Sequence, residues 1–222
     1  MRSMISITLL LLAPASTSLA TSTAQTPIAL GKDSFAAVRK ALEAAKIISE
    51  VLDDFQPRCF LAPFYGKKSN RAVTLGNSLK QSVTEDRPTI KIYCPGLDST
   101  AGLVVALTDP DAKSRDDPKW SEMCHWIAIV PTSNQKDFVL DVSNGSNALD
   151  IVEYKSPAPP AKTGYHRYVF VLLQGATSNL TAPSERQHCG TGKVRHGVRD
   201  WAQREGLEVV GANFFMERNG EL

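Results

Sequence analysis

Residues Leu107–Val130 read L-T-D-P-D-A-K-S-R-D-D-P-K-W-S-E-M-C-H-W-I-A-I-V. An apolar run from Leu103 to Leu107 delivers two aspartates, Asp109 and Asp111, on either side of Pro110. A polar loop carrying Arg115 follows, and His125 then opens a second apolar run that reaches Val130. A strand ending in carboxylates, followed by a strand beginning with histidine, brings acid and imidazole to one end of a single sheet. In extended backbone, residues i and i+2 point to the same side, so both carboxylates would face one pocket. Two acids that close need a cation, donors or a shared proton, and Arg115 is the nearest counter-charge in sequence. D-P-D is equally ordinary turn chemistry, and spacing alone does not separate the two readings.

Strand-like material surrounds this stretch. Short β-type runs fall at Arg71–Leu75, Thr89–Cys94, Leu103–Thr108, His125–Val130, Phe138–Val142 and Tyr168–Leu173, with a last one at Leu207–Phe215. Turn chemistry separates them at Pro95-Gly96, Asn144-Gly145 and the proline-rich Ser156–Pro160. Many strands with few intervening helices predict a mainly β, antiparallel architecture. Helical spacing shows only at the two ends. Phe35, Val38, Leu42 and Ala45 recur behind an Asp33 or Ser34 cap, and the apolar pattern continues to Phe55 with a break near Ser49. Mixed charges on the polar face (Arg39, Lys40, Glu43, Lys46) favour a helix packed on the core over one lying on a membrane. Val194–Glu205 reads as a second helix with Val198, Trp201 and Ala202 on one side, stopped by Gly206.

The first twenty residues stand apart. Arg2 gives a positive start, Ile5–Ala13 is apolar, and Ser18-Leu19-Ala20 offers small residues for cleavage, the layout of a secretory signal. Residues 21–31 then form a polar linker, and 32–222 a single domain with enough chain for a proper core. No later stretch is long and apolar enough for a membrane span. Secretion makes the cysteine count informative: Cys59, Cys94, Cys124 and Cys189 permit two bridges in three pairings. Cys59 with Cys94 is the preferred pair, because both lie in or beside strand-like segments. The sequons at Asn144 and Asn179 fit a surface-exposed glycoprotein.

With 25 basic and 23 acidic side chains, the chain has a net charge of +2 and no strong electrostatic partner. Lys193, Arg195, Arg199 and Arg204 are diluted by Glu185, Asp200 and Glu205, so a solvated helix face is expected there and nucleic acid is not. His166 opens a strand as His125 does. Alternation puts His166, Tyr168 and Phe170 on one face and Arg167 and Val169 on the other, so imidazole, phenol and ring would shape a small-ligand pocket. Cys124 and His125 are adjacent and face opposite sides of a strand, so they form no nucleophile–base dyad. There is no G-x-S-x-G, H-E-x-x-H or P-loop. A metal on Asp109, Asp111, His125 and His166 is the weaker reading without a closely spaced ligand pair from a helix. No cofactor or turnover is expected.

Thr108–Arg115 with His125, and Gly164–Phe170 some fifty residues on, resemble the two signatures of the phosphatidylethanolamine-binding protein family. The similarity runs from about Ile47 to Phe215, and Ile47–Phe55, Pro57 and Leu75-Gly76-Asn77 are similar to its carboxypeptidase Y inhibitor branch. The resemblance implies a central antiparallel sheet, a smaller second sheet, flanking helices, and an anion pocket at one end for a phospholipid headgroup or other small anion. Carried over by motif position, Asp109, Asp111, His125, His166 and Tyr168 line that pocket, Phe170 adds an aromatic wall, and Phe214 closes it. The alternative it implies is inhibition of a serine carboxypeptidase. Lys113 stands where the family has proline, and Ser156–Pro160 replaces a glycine-rich approach. Two imidazoles holding an anion would bind it more tightly as pH falls toward about 6.

Overall fold

A computed structural model describes residues 32–66, 70–95, 102–130, 139–142 and 149–220. The expected leader, the linker and Asn144 lie outside these residues; Asn179 is exposed.

In chain order the elements are α1 (Lys32–Ala44), α2 (Ile47–Glu50), β1 (Phe60–Tyr65), β2 (Arg71–Ala72), β3 (Asn77–Ser78), β4 (Thr89–Tyr93) and β5 (Gly102–Asp109). They continue with β6 (Met123–Val130), β7 (Val139–Val142), β8 (Leu149–Val152), β9 (His166–Gly175), α3 (Gly197–Arg204) and β10 (Glu208–Glu217). A six-stranded sheet has the order β3-β10-β9-β5-β6-β8, and a four-stranded sheet the order β2-β1-β4-β7. All pairs are antiparallel except β3 with β10. The architecture is mainly β, with a large sheet, a smaller one and helices near both ends.

The central strands of the large sheet are buried on both faces, and alternation sorts their side chains into two cores. Val169, Val171 and Leu173 of β9 pack with Val38, Leu42, Val198 and Trp201 on the helix side. Tyr168, Phe170 and Leu172 pack with Leu61, Tyr65, Ile90 and Ile92 of the small sheet. The large sheet is therefore the middle layer of three, which explains why its strands read as continuous apolar runs.

Several boundaries differ from expectation. β1 was not anticipated, since Pro63 interrupts its pattern, although its burial alternates along all six residues. Arg71–Leu75 supplies only the two residues of β2, and β8 was also unforeseen. At the end of the first helical segment the chain behaves as read: Lys46, with φ 56, and Ser49, with φ 97, are left-handed and break the helix near the expected point. α3 starts at Gly197 rather than Val194, because Arg195 takes φ 59. Gly206, at φ 69, ends it.

Both bridges are closed, Cys59–Cys94 as preferred and Cys124–Cys189 with it. The first ties the segment after α2 to the end of β4. The second ties β6 to the turn before α3. Beside it, the buried Glu122 carboxylate accepts bonds from the backbone N–H groups of Gly197 (2.9 Å) and Val198 (3.3 Å) and from the Thr108 hydroxyl (3.0 Å). Cys124 and Cys189 are 65 residues apart, so their bond removes about 4 kcal/mol of loop entropy from the unfolded chain. Replacing both by alanine should lower the unfolding free energy in urea by about that amount. An unchanged denaturation midpoint would show that the bridge contributes nothing.

Candidate functional site

The ends of β5, β6 and β9 meet at one edge of the large sheet, where the loops Pro110–Glu122 and Lys155–Pro160 cover a cavity of ≈ 130 Å³. Asp109, His125, His166 and Tyr168 line it, with Lys113, Trp120 and Lys155 toward the rim. Four of the seven expected site residues are thus brought together.

His125 reaches the cavity through an irregularity. Leu107 pairs with Trp126 but Thr108 with Cys124, leaving His125 as the extra residue of a β-bulge. The bulge also breaks period two: Cys124 packs on the helix side while Trp126 packs between the sheets. The His125 ring meets Tyr168 edge-on, with centroids 5.3 Å apart. Its Nδ1 donates to the Lys155 carbonyl at 2.8 Å, so Nε2 is the nitrogen left over. Burial lowers the His125 pKa, against a smaller opposing pull from Asp109. An anion in the cavity would have to supply charge to return a proton to Nε2.

His166 is held at both ring nitrogens. Nδ1 sits 2.8 Å from Asp109 Oδ2, and Nε2 2.9 Å from the Thr163 hydroxyl, which also donates to the Pro160 carbonyl. Asp109 is doubly engaged as well, since its Oδ1 accepts the Asp111 backbone N–H at 2.8 Å. The Tyr168 hydroxyl is pushed well above the ordinary phenol range by burial and by the Asp109 charge beside it, so it remains a donor at every working pH. The donors an oxyanion could recruit are this phenol, by taking its proton from Asp109, His125 Nε2 once protonated, and the rim ammonium groups of Lys155 and of Lys113, the latter 4.0 Å from Asp117.

Three expected residues lie elsewhere. Asp111 does not share the Asp109 pocket: the bond from its own N–H to Asp109 is a local Asx turn, so the backbone is not extended and the i, i+2 rule fails. Its carboxylate instead takes Arg167, at 2.9 Å from the backbone N–H, 2.9 Å from Nε and 2.6 Å from Nη2. Arg167 is its direct counter-charge, with Arg195 3.9 Å away, and the expected Arg115 adds a smaller pull. Phe170 lies on the expected face but one step deeper, packed between the sheets. Phe214 pairs with Val169 and so faces the helix side; Phe215 pairs with Tyr168 and stacks on it, with centroids 5.2 Å apart. The aromatic behind the site is Phe215, one residue along a strand whose register the sequence does not print.

Sequence reasoning also missed Trp120, which stands 37% exposed with Lys113 Nζ 5.8 Å and Lys119 Nζ 5.5 Å from its ring. The helix-side basic residues each have an acid: Arg195 with Glu50, Arg199 with Asp53, Lys193 with Asp200 and Arg204 with Glu205. Among the described residues no group of three or more His, Cys, Asp or Glu is placed to hold a metal, and no helix is long and apolar enough to cross a membrane.

The sequence profile described as phosphatidylethanolamine-binding protein matches residues 69–215. This chain belongs to that family. The carboxypeptidase Y inhibitor of Saccharomyces cerevisiae is 32% identical over 199 residues, covering 76% of this chain and 89% of that protein. An uncharacterised protein of the same yeast is 35% identical over 156 residues, covering 66% of this chain and 76% of that one. Among solved structures, the carboxypeptidase Y inhibitor in complex with its cognate proteinase has a TM-score of 0.74 at 28% identity, covering 83% of this chain and 96% of that one. A phosphatidylethanolamine-binding protein from Plasmodium vivax shares the fold, with a TM-score of 0.66 at 22% identity, over 82% of this chain and 97% of that one. The similarity lies with binding proteins and an inhibitor.

The Arg167–Asp111 contact is testable by itself. Burial would raise the Asp111 carboxyl, but the hydrogen bonds and charge of Arg167 hold it below the ordinary value of 3.8. Asp111→Asn should lower the unfolding free energy by about 3 kcal/mol, the low end for a broken buried pair because Glu50 still faces the guanidinium at 2.7 Å. A carboxyl depressed by folding stabilises above its unfolded pKa and loses that contribution as pH falls. The gap between wild type and variant, read by denaturation at each pH, should therefore hold above 3.8 and narrow as pH falls below it.

Proposed function

We propose that this protein inhibits a serine carboxypeptidase and travels the secretory route. The observation that carries the reading is the extent of the likeness to the carboxypeptidase Y inhibitor: 76% of this chain aligns with it, so the match reaches beyond the family domain at residues 69–215. The two disulfides, Cys59–Cys94 and Cys124–Cys189, suit an oxidising compartment, as does the signal-like first twenty residues. Added in molar excess to carboxypeptidase Y, the purified protein should suppress release of the C-terminal residue from a peptide substrate, at roughly micromolar concentration or below. Full peptidase activity at that excess would reject the reading.

The cavity supports a second activity in the same molecule, capture of a small oxyanion such as phosphate, sulfate or a phospholipid headgroup. Its warrant is the Tyr168 hydroxyl, buried in a concave site beside His125 with Lys113 and Lys155 at the rim. A hydrogen bond to a charged group is worth about 1.5–3 kcal/mol. Tyr168→Phe should accordingly weaken sulfate binding, measured by calorimetry, by roughly tenfold or more. Equal affinity in both proteins would remove the phenol from the site.

A further inference from the structure

Glu217 ends β10 directly across from His166, a lining residue of the cavity, and itself stands behind that lining. No part of it is exposed. Its Oε2 lies 2.7 Å from the Thr84 hydroxyl, and its Oε1 has no hydrogen-bond partner among the described residues. A buried carboxylate oxygen without a donor penalises the ionised form far more than the neutral acid.

The Thr84 hydroxyl serves either state of this acid. It also lies 3.1 Å from the Gln81 carbonyl, so it can accept the proton of neutral Glu217 while donating to Gln81. Turned about its C–O bond, it donates to the Glu217 carboxylate instead, and Gln81 keeps the Thr84 backbone N–H at 3.1 Å. One proton on Glu217 and the rotation of one hydroxyl separate the two arrangements.

The groups around Glu217 come from four elements. They are Tyr65 on β1, Asp109 on β5, Tyr154 after β8, and His166 and Tyr168 on β9. The three tyrosines are raised by burial and stay neutral. Asp109 repels a second negative charge, while His166 favours one. Burial, with Asp109 adding to it, lifts the Glu217 carboxyl to about 7, against the pull of the Thr84 bond and of His166.

We propose that Glu217 is a charge gate for the oxyanion cavity: neutral, it lets an anion sit against Tyr168 and His125, and ionised, it joins Asp109 in expelling the anion. This rests on the oxyanion reading of the cavity. Binding then takes up a proton at Glu217, so affinity falls as pH rises through neutrality. His125 contributes a slope of the same sign, but burial lowers its pKa from 6.5, which places its share at more acid pH.

Sulfate is the probe, because its charge is constant in this range. Wild-type affinity should fall roughly fourfold between about pH 6.5 and about pH 8, out of roughly tenfold over the whole titration, the effect of one added charge at second-neighbour distance. Glu217→Gln should bind sulfate at both pH values with most of that fall abolished. A slope that the substitution leaves intact overturns the gate while keeping the cavity. No sulfate binding by either protein at either pH overturns the oxyanion reading and the gate with it. The wild type gives a second measurement independent of the variant's folding: carbon-13 NMR of the Glu217 carboxyl. Saturating sulfate should move its titration to higher pH by roughly one unit, the reciprocal of the tenfold coupling. A titration that sulfate does not move, with sulfate bound, overturns the gate.

Discussion

One buried cation organises the site end of this molecule. Arg167 has no exposed surface, and a guanidinium is not deprotonated in proteins, so every one of its donors needs an acceptor. Asp111 takes the Nε and Nη2 donors, Glu50 lies 2.7 Å from Nη2, and Nη1 donates to the Ala45 carbonyl at 2.8 Å. These partners come from the D-P-D turn, from Ala45 between α1 and α2, and from Glu50 at the end of α2. The pair therefore fastens the N-terminal helical segment and the cavity's covering loop to the same strand, β9. Because Asp111 also donates its backbone N–H to Asp109, the cavity acid is positioned by the same contact. An apolar residue at 167 could fill the volume, but it would leave Asp111 with little more than the backbone N–H of residue 167 and the more distant Arg195 at 3.9 Å to offset its buried charge.

The second constraint is that the large sheet is covered on both faces. A strand buried on both sides has no polar face to give away its phase, so parity decides which residues reach the cavity. On β9 parity holds, and His166 and Tyr168 come to one side together. Along β6 a single extra residue at His125 reverses it, sending Cys124 to the disulfide with Cys189 and Trp126 to the other core. The same bulge frees His125 to turn its ring on Tyr168. Disulfide, core tryptophan and cavity imidazole are thus three consecutive residues with three destinations.

The sequence carries the long, strongly apolar strands and both helices, because burial on that scale leaves a pattern that survives without partners. It carries Asp109, His125, His166 and Tyr168, since each closes or opens a strand at the same edge. What it hides depends on pairing. Phe214 and Phe215 are indistinguishable until β10 is set against β9. Asp111 looks like a twin of Asp109 until the turn at Pro110 is seen to be an Asx turn that points it at Arg167. The tightness of this turn is a backbone property, and Arg115, near in sequence, is simply farther in space than Arg167. β1 was missed for a related reason: Pro63 argues against a central strand, yet β1 lies between β2 and β4 and buries alternate residues.

Three carboxyls stand close together at this edge, and each is made tolerable in a different way. Asp111 has a fixed cation and a lowered pKa, so it stays ionised and structural. Asp109 shares its charge between the His166 ring and a backbone N–H, which leaves it fixed in place against the cavity. Among the described residues Glu217 has neither an ion-pair partner nor a backbone donor, only a hydroxyl that can turn either way, and its Oε1 has no hydrogen-bond partner. Of the three it alone is balanced by a proton rather than by a neighbour. A proton is also the one partner whose supply changes between a neutral and an acidic compartment. Sensitivity to surroundings at this site therefore falls to the acid the fold has partnered least, and the cavity's front wall can stay rigid while its charge changes from behind.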